Sequence, residues 1–198
     1  MRIEGGTLRG RPLLAPPGPS TRPTDGRTRE MLFNSLGERV VGARFLDLYA
    51  GSGSVGLEAL SRGATFCVFV EDDFRAVKPL KQNLSTLSLQ QAAQVWAANA
   101  RSSLDKLVEN GERFGIVFAD PPFTHPQEAG EILKRIDACP RLLHNQMDEF
   151  SQSLVVIQHS IRTELPPTHA LRLWRFKKAG ESGLSFFVPN PTEPAFAE

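Results

Sequence analysis

The chain has 198 residues, 40% hydrophobic and 23% charged, and its 23 Lys and Arg against 22 Asp and Glu leave a formal net charge of +1. That balance excludes a chain disordered throughout, and the length suits one domain with a real core rather than two. No apolar run is long enough to cross a bilayer, the first residues lack the apolar h-region of a signal peptide, and Cys67 and Cys139 form no metal or disulfide motif; a cytoplasmic, monomeric protein without metal is expected.

In chain order, the glycines and prolines of residues 1–19 predict a small hairpin and a turn-rich linker. Thr24 is placed to cap a helix over residues 26–38, whose apolar face is Met31, Leu32, Phe33 and Leu36, with Arg27, Arg29 and Glu30 mostly elsewhere. Strands are expected at 45–49, 66–70, 94–98, 114–119 and 154–158. The intervening helices carry Val55 to Leu60, Val77 to Leu87, residues 102–109 and residues 127–137. Two further strands, 171–176 and 184–188, follow without a helix between them. The pattern predicts an α/β fold: a mostly parallel seven-stranded, doubly wound, Rossmann-like sheet covered on both faces. An antiparallel C-terminal edge hairpin and a small N-terminal hairpin-plus-helix extension complete it. The extension takes residues 1–40 and the main domain residues 41–198.

Between the first strand and its helix runs Asp47-Leu-Tyr-Ala50-Gly51-Ser52-Gly53-Ser-Val-Gly56. Glycines here let a ligand approach the backbone, and the helix N-terminus offers free N–H groups. The spacing also fits G-x-G-x-x-G, and Glu71, at the end of the next strand, is placed to accept two ribose hydroxyls. An adenosine-containing cofactor follows, without its identity. Asp47 separates two candidates: a carboxylate there repels the pyrophosphate of NAD and suits the ammonium of S-adenosylmethionine.

Asp120-Pro121-Pro122-Phe123 ends the fourth strand, where open α/β sheets place their chemistry. Two prolines remove two backbone donors, leaving carbonyl acceptors beside a carboxylate and an aromatic ring. Asp120 and the Pro121 carbonyl suit the two hydrogens of a nucleobase amine, and Phe123 suits stacking on that base. Guanine and adenine amines both satisfy this turn.

The chain resembles the RsmD-type 16S ribosomal RNA guanine-N2 methyltransferases of the class I S-adenosylmethionine-dependent superfamily. The matching stretches are Arg2-Ile3 through Gly10, Arg22-Pro23-Thr24, Arg29 to Asn34, Leu46 to Gly53, Gly56 to Ala64, Val70-Glu71 and Asp120 to Phe123. The resemblance implies methyl transfer to the N2 amine of a guanine in 16S rRNA or a small-subunit assembly particle, with RNA binding. It implies that Asp120, Pro121, Pro122 and Phe123 hold the base. Asp47, Ala50, Gly51, Ser52, Gly53, Glu71, Asp72, Asn99 and Ala100 are the cofactor candidates, and Arg2, Arg9, Arg11, Arg22, Thr24, Arg27 and His125 the substrate candidates. Two departures stand out: Asn99 replaces the Asp usual in the family, and Val156 to His159 lacks a Glu often found near that strand end. Rival readings are an adenine-N6 methyltransferase on DNA or another RNA, an NAD-dependent oxidoreductase, and a non-catalytic RNA-binding factor.

The net charge hides a division. Residues 1–30 carry +3 and residues 160–180 carry +4, while residues 31–159 carry −3. Both basic blocks are expected to converge on one RNA-facing side. His144, His159 and His169 are scattered without ligand spacing, Trp96 and Trp174 read as packing residues, and Cys67 as a small buried hydrophobe.

Overall fold

Hydrophobic runs in the middle of the chain alternate between two cores, as period-two strands covered on both faces must. In strand β1 (Arg44–Leu48), Phe45 enters a core shared with Cys67, Phe69 and Phe118, whereas Leu46 and Leu48 enter one shared with Val68, Val70 and Val117. The computed structural model describes residues 1–16, 26–144 and 152–191. The proposed Thr24 cap and the Arg22 site lie outside them.

The remaining strands are β2 (Phe66–Glu71), β3 (Ala93–Ala97), β4 (Ile116–Ala119), β5 (Leu154–Ser160), β6 (Leu171–Ala179) and β7 (Ser182–Pro189). They form one seven-stranded sheet in the order β3-β2-β1-β4-β5-β7-β6. β1 to β5 pair in parallel, and β7 enters antiparallel between β5 and β6. Helices α1 (Gly26–Leu36), α2 (Ser54–Ser61), α3 (Phe74–Thr86), α4 (Ala100–Glu109) and α5 (Glu128–Asp137) flank it. The first core takes its helical side chains from α1, α2 and α3, and the second from α4 and α5. No described helix is long and apolar enough to cross a membrane.

The N-terminal segment is held as a loop by an antiparallel bridge between Arg2 and Pro12 rather than as two full strands. The cause is its anchorage to α2. Glu4 N–H donates to Glu58 at 2.8 Å, Thr7 N–H to the Ser61 carbonyl at 2.8 Å, and Leu8 N–H to Ser61 Oγ at 2.9 Å. Arg29, read from the sequence as lying off the apolar face of its helix, is buried. It pairs with Glu4 at 2.8 Å and with the fully buried Glu58 at 3.6 Å. A buried Glu58 has to meet a cation, and helical periodicity in α1 carries no trace of a carboxylate on α2.

Gly56 packs α2 onto the sheet. A Cβ at this position would lie 2.3 Å from the Phe69 ring and 2.6 Å from Cys67 Sγ. Gly56→Ala is therefore expected to lose about 1–3 kcal/mol of stability through overpacking, read as a lower midpoint in chemical denaturation. An unchanged midpoint would mean that the two layers slide apart freely.

Candidate active site

Strand order puts three carboxyl ends side by side: those of β2, β1 and β4. Each supplies an acid, namely Glu71, Asp47 and Asp120. The alternation of β1 turns Asp47 toward the same face as Phe45, level with Phe69 and Phe118 of its neighbours. There it is buried, and its carboxylate accepts the Gly56 N–H of α2 at 2.8 Å. Burial pushes its carboxyl up to about 8. The Gly56 hydrogen bond opposes that shift, and the charges of Asp120 and Glu71 add to it.

The loop after β1 runs through left-handed backbone at Tyr49 (φ 60°), Gly51 (φ 56°) and Gly53 (φ 82°). The two glycines serve different ends. Nothing lies within 4 Å of where a Gly51 Cβ would stand, so this backbone faces open space. A Gly53 Cβ would meet Leu80 at 2.3 Å, so the missing side chain here makes room for a core residue. Ser52 is buried, with its carbonyl accepting from Asn83 at 3.1 Å, and Ala50 is buried beside it with its N–H donating to Val70.

Glu71 is half-buried and bridges two turns. One carboxylate oxygen accepts Gly51 N–H at 2.6 Å and the other accepts Asp73 N–H at 2.8 Å. Burial raises its pKa, opposed by those two backbone donors. Each oxygen keeps a further lone pair for a ribose hydroxyl. Asn99 caps α4, its carbonyl oxygen accepting Arg101 N–H at 3.0 Å, while its amide nitrogen donates to Asp72 at 3.4 Å. An Asp at this position would confront Asp72 with a like charge; the amide converts that repulsion into a contact. Ala100 is buried in the first turn of α4.

After β4, Pro121 is buried while Asp120 is partly exposed and Phe123 is 46% exposed. The turn is tied by His125 N–H to the Pro122 carbonyl at 3.0 Å and by Glu128 N–H to the His125 carbonyl at 2.9 Å. His125 is exposed, its ring Nδ1 3.1 Å from Thr124 Oγ1. Pro121, Pro122, Phe123 and His125 line a narrow groove with Gln158 and His159 at the end of β5. His159 hydrogen-bonds the Ser160 carbonyl through Nδ1 at 2.9 Å, which makes that nitrogen the donor, and Ser185 Oγ through Nε2 at 2.8 Å. Burial lowers its pKa, so it is a neutral structural imidazole.

One cluster had no sequence signal. The Tyr49 hydroxyl donates to Glu128, which also receives Arg101 Nε at 3.0 Å, and Arg101 pairs with Glu131 as well. This ties the loop after β1 to the first turns of α4 and α5. Nothing in the spacing of 49, 101 and 128 announces the meeting.

The two basic blocks adjoin where α1 packs against β6, with Arg39 over the Trp174 ring at 5.2 Å. Arg2 donates to the Gly10 carbonyl at 2.9 Å, and Arg11 to that of Thr86 at 3.2 Å. Thr86 ends α3, one turn beyond Asn83, which hydrogen-bonds the Ser52 carbonyl of the glycine loop at 3.1 Å. Lys177 and Lys178 pair with Leu184 and Gly183, level with the carboxyl end of β5, while Arg172 pairs with Val188 near its amino end. Arg9 and Arg27 are exposed. Two of the three hairpin arginines thus satisfy backbone carbonyls of this chain.

An α/β sheet in this order, with acids at three adjacent strand ends around an open glycine turn, defines the S-adenosylmethionine-dependent methyltransferase class. Residues 1–188 match the family described as Conserved hypothetical protein 95, and the chain belongs to it, the RsmD family. The chain is 38% identical over 186 residues to ribosomal RNA small subunit methyltransferase D of Escherichia coli K12, covering 91% of this chain and 86% of that protein. Among solved structures, yhhF from Escherichia coli superposes with a TM-score of 0.80 at 34% identity, covering 97% of this chain and 99% of that one. A hypothetical protein of Thermus thermophilus gives 0.78 at 34% identity, covering 94% and 98%. The protein is a methyltransferase.

Proposed function

We propose that this enzyme transfers a methyl group to the exocyclic N2 amine of a guanine in small-subunit ribosomal RNA, in the cytoplasm. The observation that carries the reading is the position of Asp120-Pro121-Pro122-Phe123 immediately beside the open glycine turn. A carboxylate, a carbonyl and a half-exposed ring stand there together. The Escherichia coli relative's name, a small-subunit rRNA methyltransferase, supports the choice of RNA.

The residues fit the cofactor. Gly51 opens onto space, Glu71 retains lone pairs for ribose hydroxyls, and the acids around the turn suit a cationic ligand and oppose a pyrophosphate. When bound, S-adenosylmethionine supplies an electrophilic methyl on sulfur. Asp47 and Glu71 orient it, with Asp72, Asn99 and Ala100 at the adenine end. Asp120 and the Pro121 carbonyl accept the two amine hydrogens, favouring a pyramidal nitrogen whose lone pair is free of the ring. Phe123 holds the base flat. Alignment of nitrogen and methyl supplies much of the rate.

The test is transfer of labelled methyl to unmodified small subunits, naked 16S rRNA and DNA, followed by nucleoside analysis. Label in N2-methylguanine from the rRNA substrates is expected. Label in N6-methyladenine would overturn the guanine assignment.

A further inference from the structure

Asp120 and the Pro121 carbonyl grip an amine, and an amine alone does not distinguish guanine from adenine. The discriminating group must touch another atom of the base edge. On β4 and β5 the register pairs Phe118 with Val156 and Ala119 with Ile157, so the next step places Gln158 beside Asp120. Alternation puts both on the face that carries Phe118 and Val156. Gln158 is 6% exposed, and it lines the groove together with Pro121, Pro122 and Phe123. Its side-chain oxygen Oε1 is buried without a hydrogen-bond partner. An orphaned buried acceptor is costly, and its persistence at the wall of a binding groove marks a place where a ligand donor belongs.

We propose that Gln158 is the specificity residue for the target base: its Oε1 accepts the N1–H of guanine while Asp120 and the Pro121 carbonyl hold the N2 amine. This rests on the guanine reading above. In guanine, N1–H and the N2 amine are adjacent donors on one edge, matching adjacent acceptors on neighbouring strands. Adenine presents a lone pair at N1, which with the amide oriented as here would face the Gln158 oxygen and leave both unsatisfied. Phe123 and His125 are the exposed part of the groove wall, so the base reaches Gln158 along Phe123, which stacks on it.

Three variants and one base analogue test the assignment. The RNA substrate carries either guanine or 2-aminopurine at the methylated position; 2-aminopurine keeps the amine and lacks the N1 hydrogen. For the wild type, 2-aminopurine is expected to lower kcat/KM about tenfold or more, the loss of one buried hydrogen bond. Gln158→Leu should lower kcat/KM for guanine by a similar factor and show little further loss with 2-aminopurine. Gln158→Glu, which keeps an acceptor, should retain the preference for guanine. Gln158→Ala guards against a steric effect of leucine and should behave like it. The melting temperature of Gln158→Leu should not fall, since a buried unpaired oxygen has been removed, whereas a residue needed only for packing or polar cohesion would lower it. Wild-type kcat/KM equal for the two bases, or Gln158→Leu and Gln158→Ala both indistinguishable from wild type, would overturn the assignment and leave the guanine reading standing. Label appearing in N6-methyladenine would overturn both, and the product nucleoside tells the two failures apart.

Discussion

Replacing Asp120 by alanine is expected to lower kcat by about 10²–10³-fold while leaving affinity for S-adenosylhomocysteine nearly unchanged. Positive charge develops on the attacking nitrogen as it takes the methyl, and the amine then sheds a proton. A carboxylate in contact with that nitrogen stabilises the charge and lies on the path of the proton. Neither contribution exists in the ground-state complex with cofactor alone, so the loss appears in kcat and not in binding. Asp120→Asn retains one acceptor oxygen without the charge and should fall between alanine and wild type. Single-turnover methyl transfer and calorimetric titration separate the two quantities. Full activity in Asp120→Ala would remove the turn from the chemistry and leave alignment by Phe123 and Pro121 as its whole contribution.

The part of this architecture legible in the sequence is the part that rests on local pattern. β1, β2 and β4 are buried on both faces and read as continuous apolar runs, and α3 and α5 carry an apolar stripe of helical period. The seven-strand α/β fold with its antiparallel edge followed from these. What escaped depends on contacts between elements distant in sequence. Arg29 has helix-surface spacing but answers to Glu58 on another helix. Gly53 sits in a ligand-binding fingerprint yet yields its space to Leu80, because α3 crosses the loop at that point. Tyr49, Arg101 and Glu128 meet only because their three strand–helix junctions share one end of the sheet. The basic blocks were expected together on charge alone. Charge alone carries no trace of how they adjoin, which is through the packing of α1 against β6. Gln158 was visible only as a departure from a family pattern, and its significance came from the register that sets it beside Asp120.

Binding of S-adenosylhomocysteine at pH 7 is expected to release close to one proton, and Asp47 is its source. Burial between Phe69 and Phe118 holds this carboxyl up to about 8 in the folded chain, against an ordinary value of 3.8. At pH 7 the group is therefore mostly protonated. A cationic ammonium arriving nearby favours the carboxylate and expels the proton. Calorimetry in two buffers of different ionisation enthalpy reads the release directly. Asp47→Asn should bind more weakly and release none; equal proton counts for the two proteins would detach Asp47 from the cofactor. The same shift fixes the sign of a stability effect. Between about pH 4 and 8 the unfolded carboxyl is ionised while the folded one keeps its proton, so each rise in pH favours unfolding, and the loss levels off above the folded value. Asp47→Asn, neutral throughout and still able to accept from Gly56, should gain on the wild type as pH rises from 5 to 8, by roughly 2–4 °C in Tm for each kcal/mol. A variant that is more stable yet binds the cofactor less well is the signature of a buried charge kept for its ligand. A difference in Tm that does not change with pH would mean that Asp47 is already ionised in the fold and that its pairing with Gly56 is structural alone.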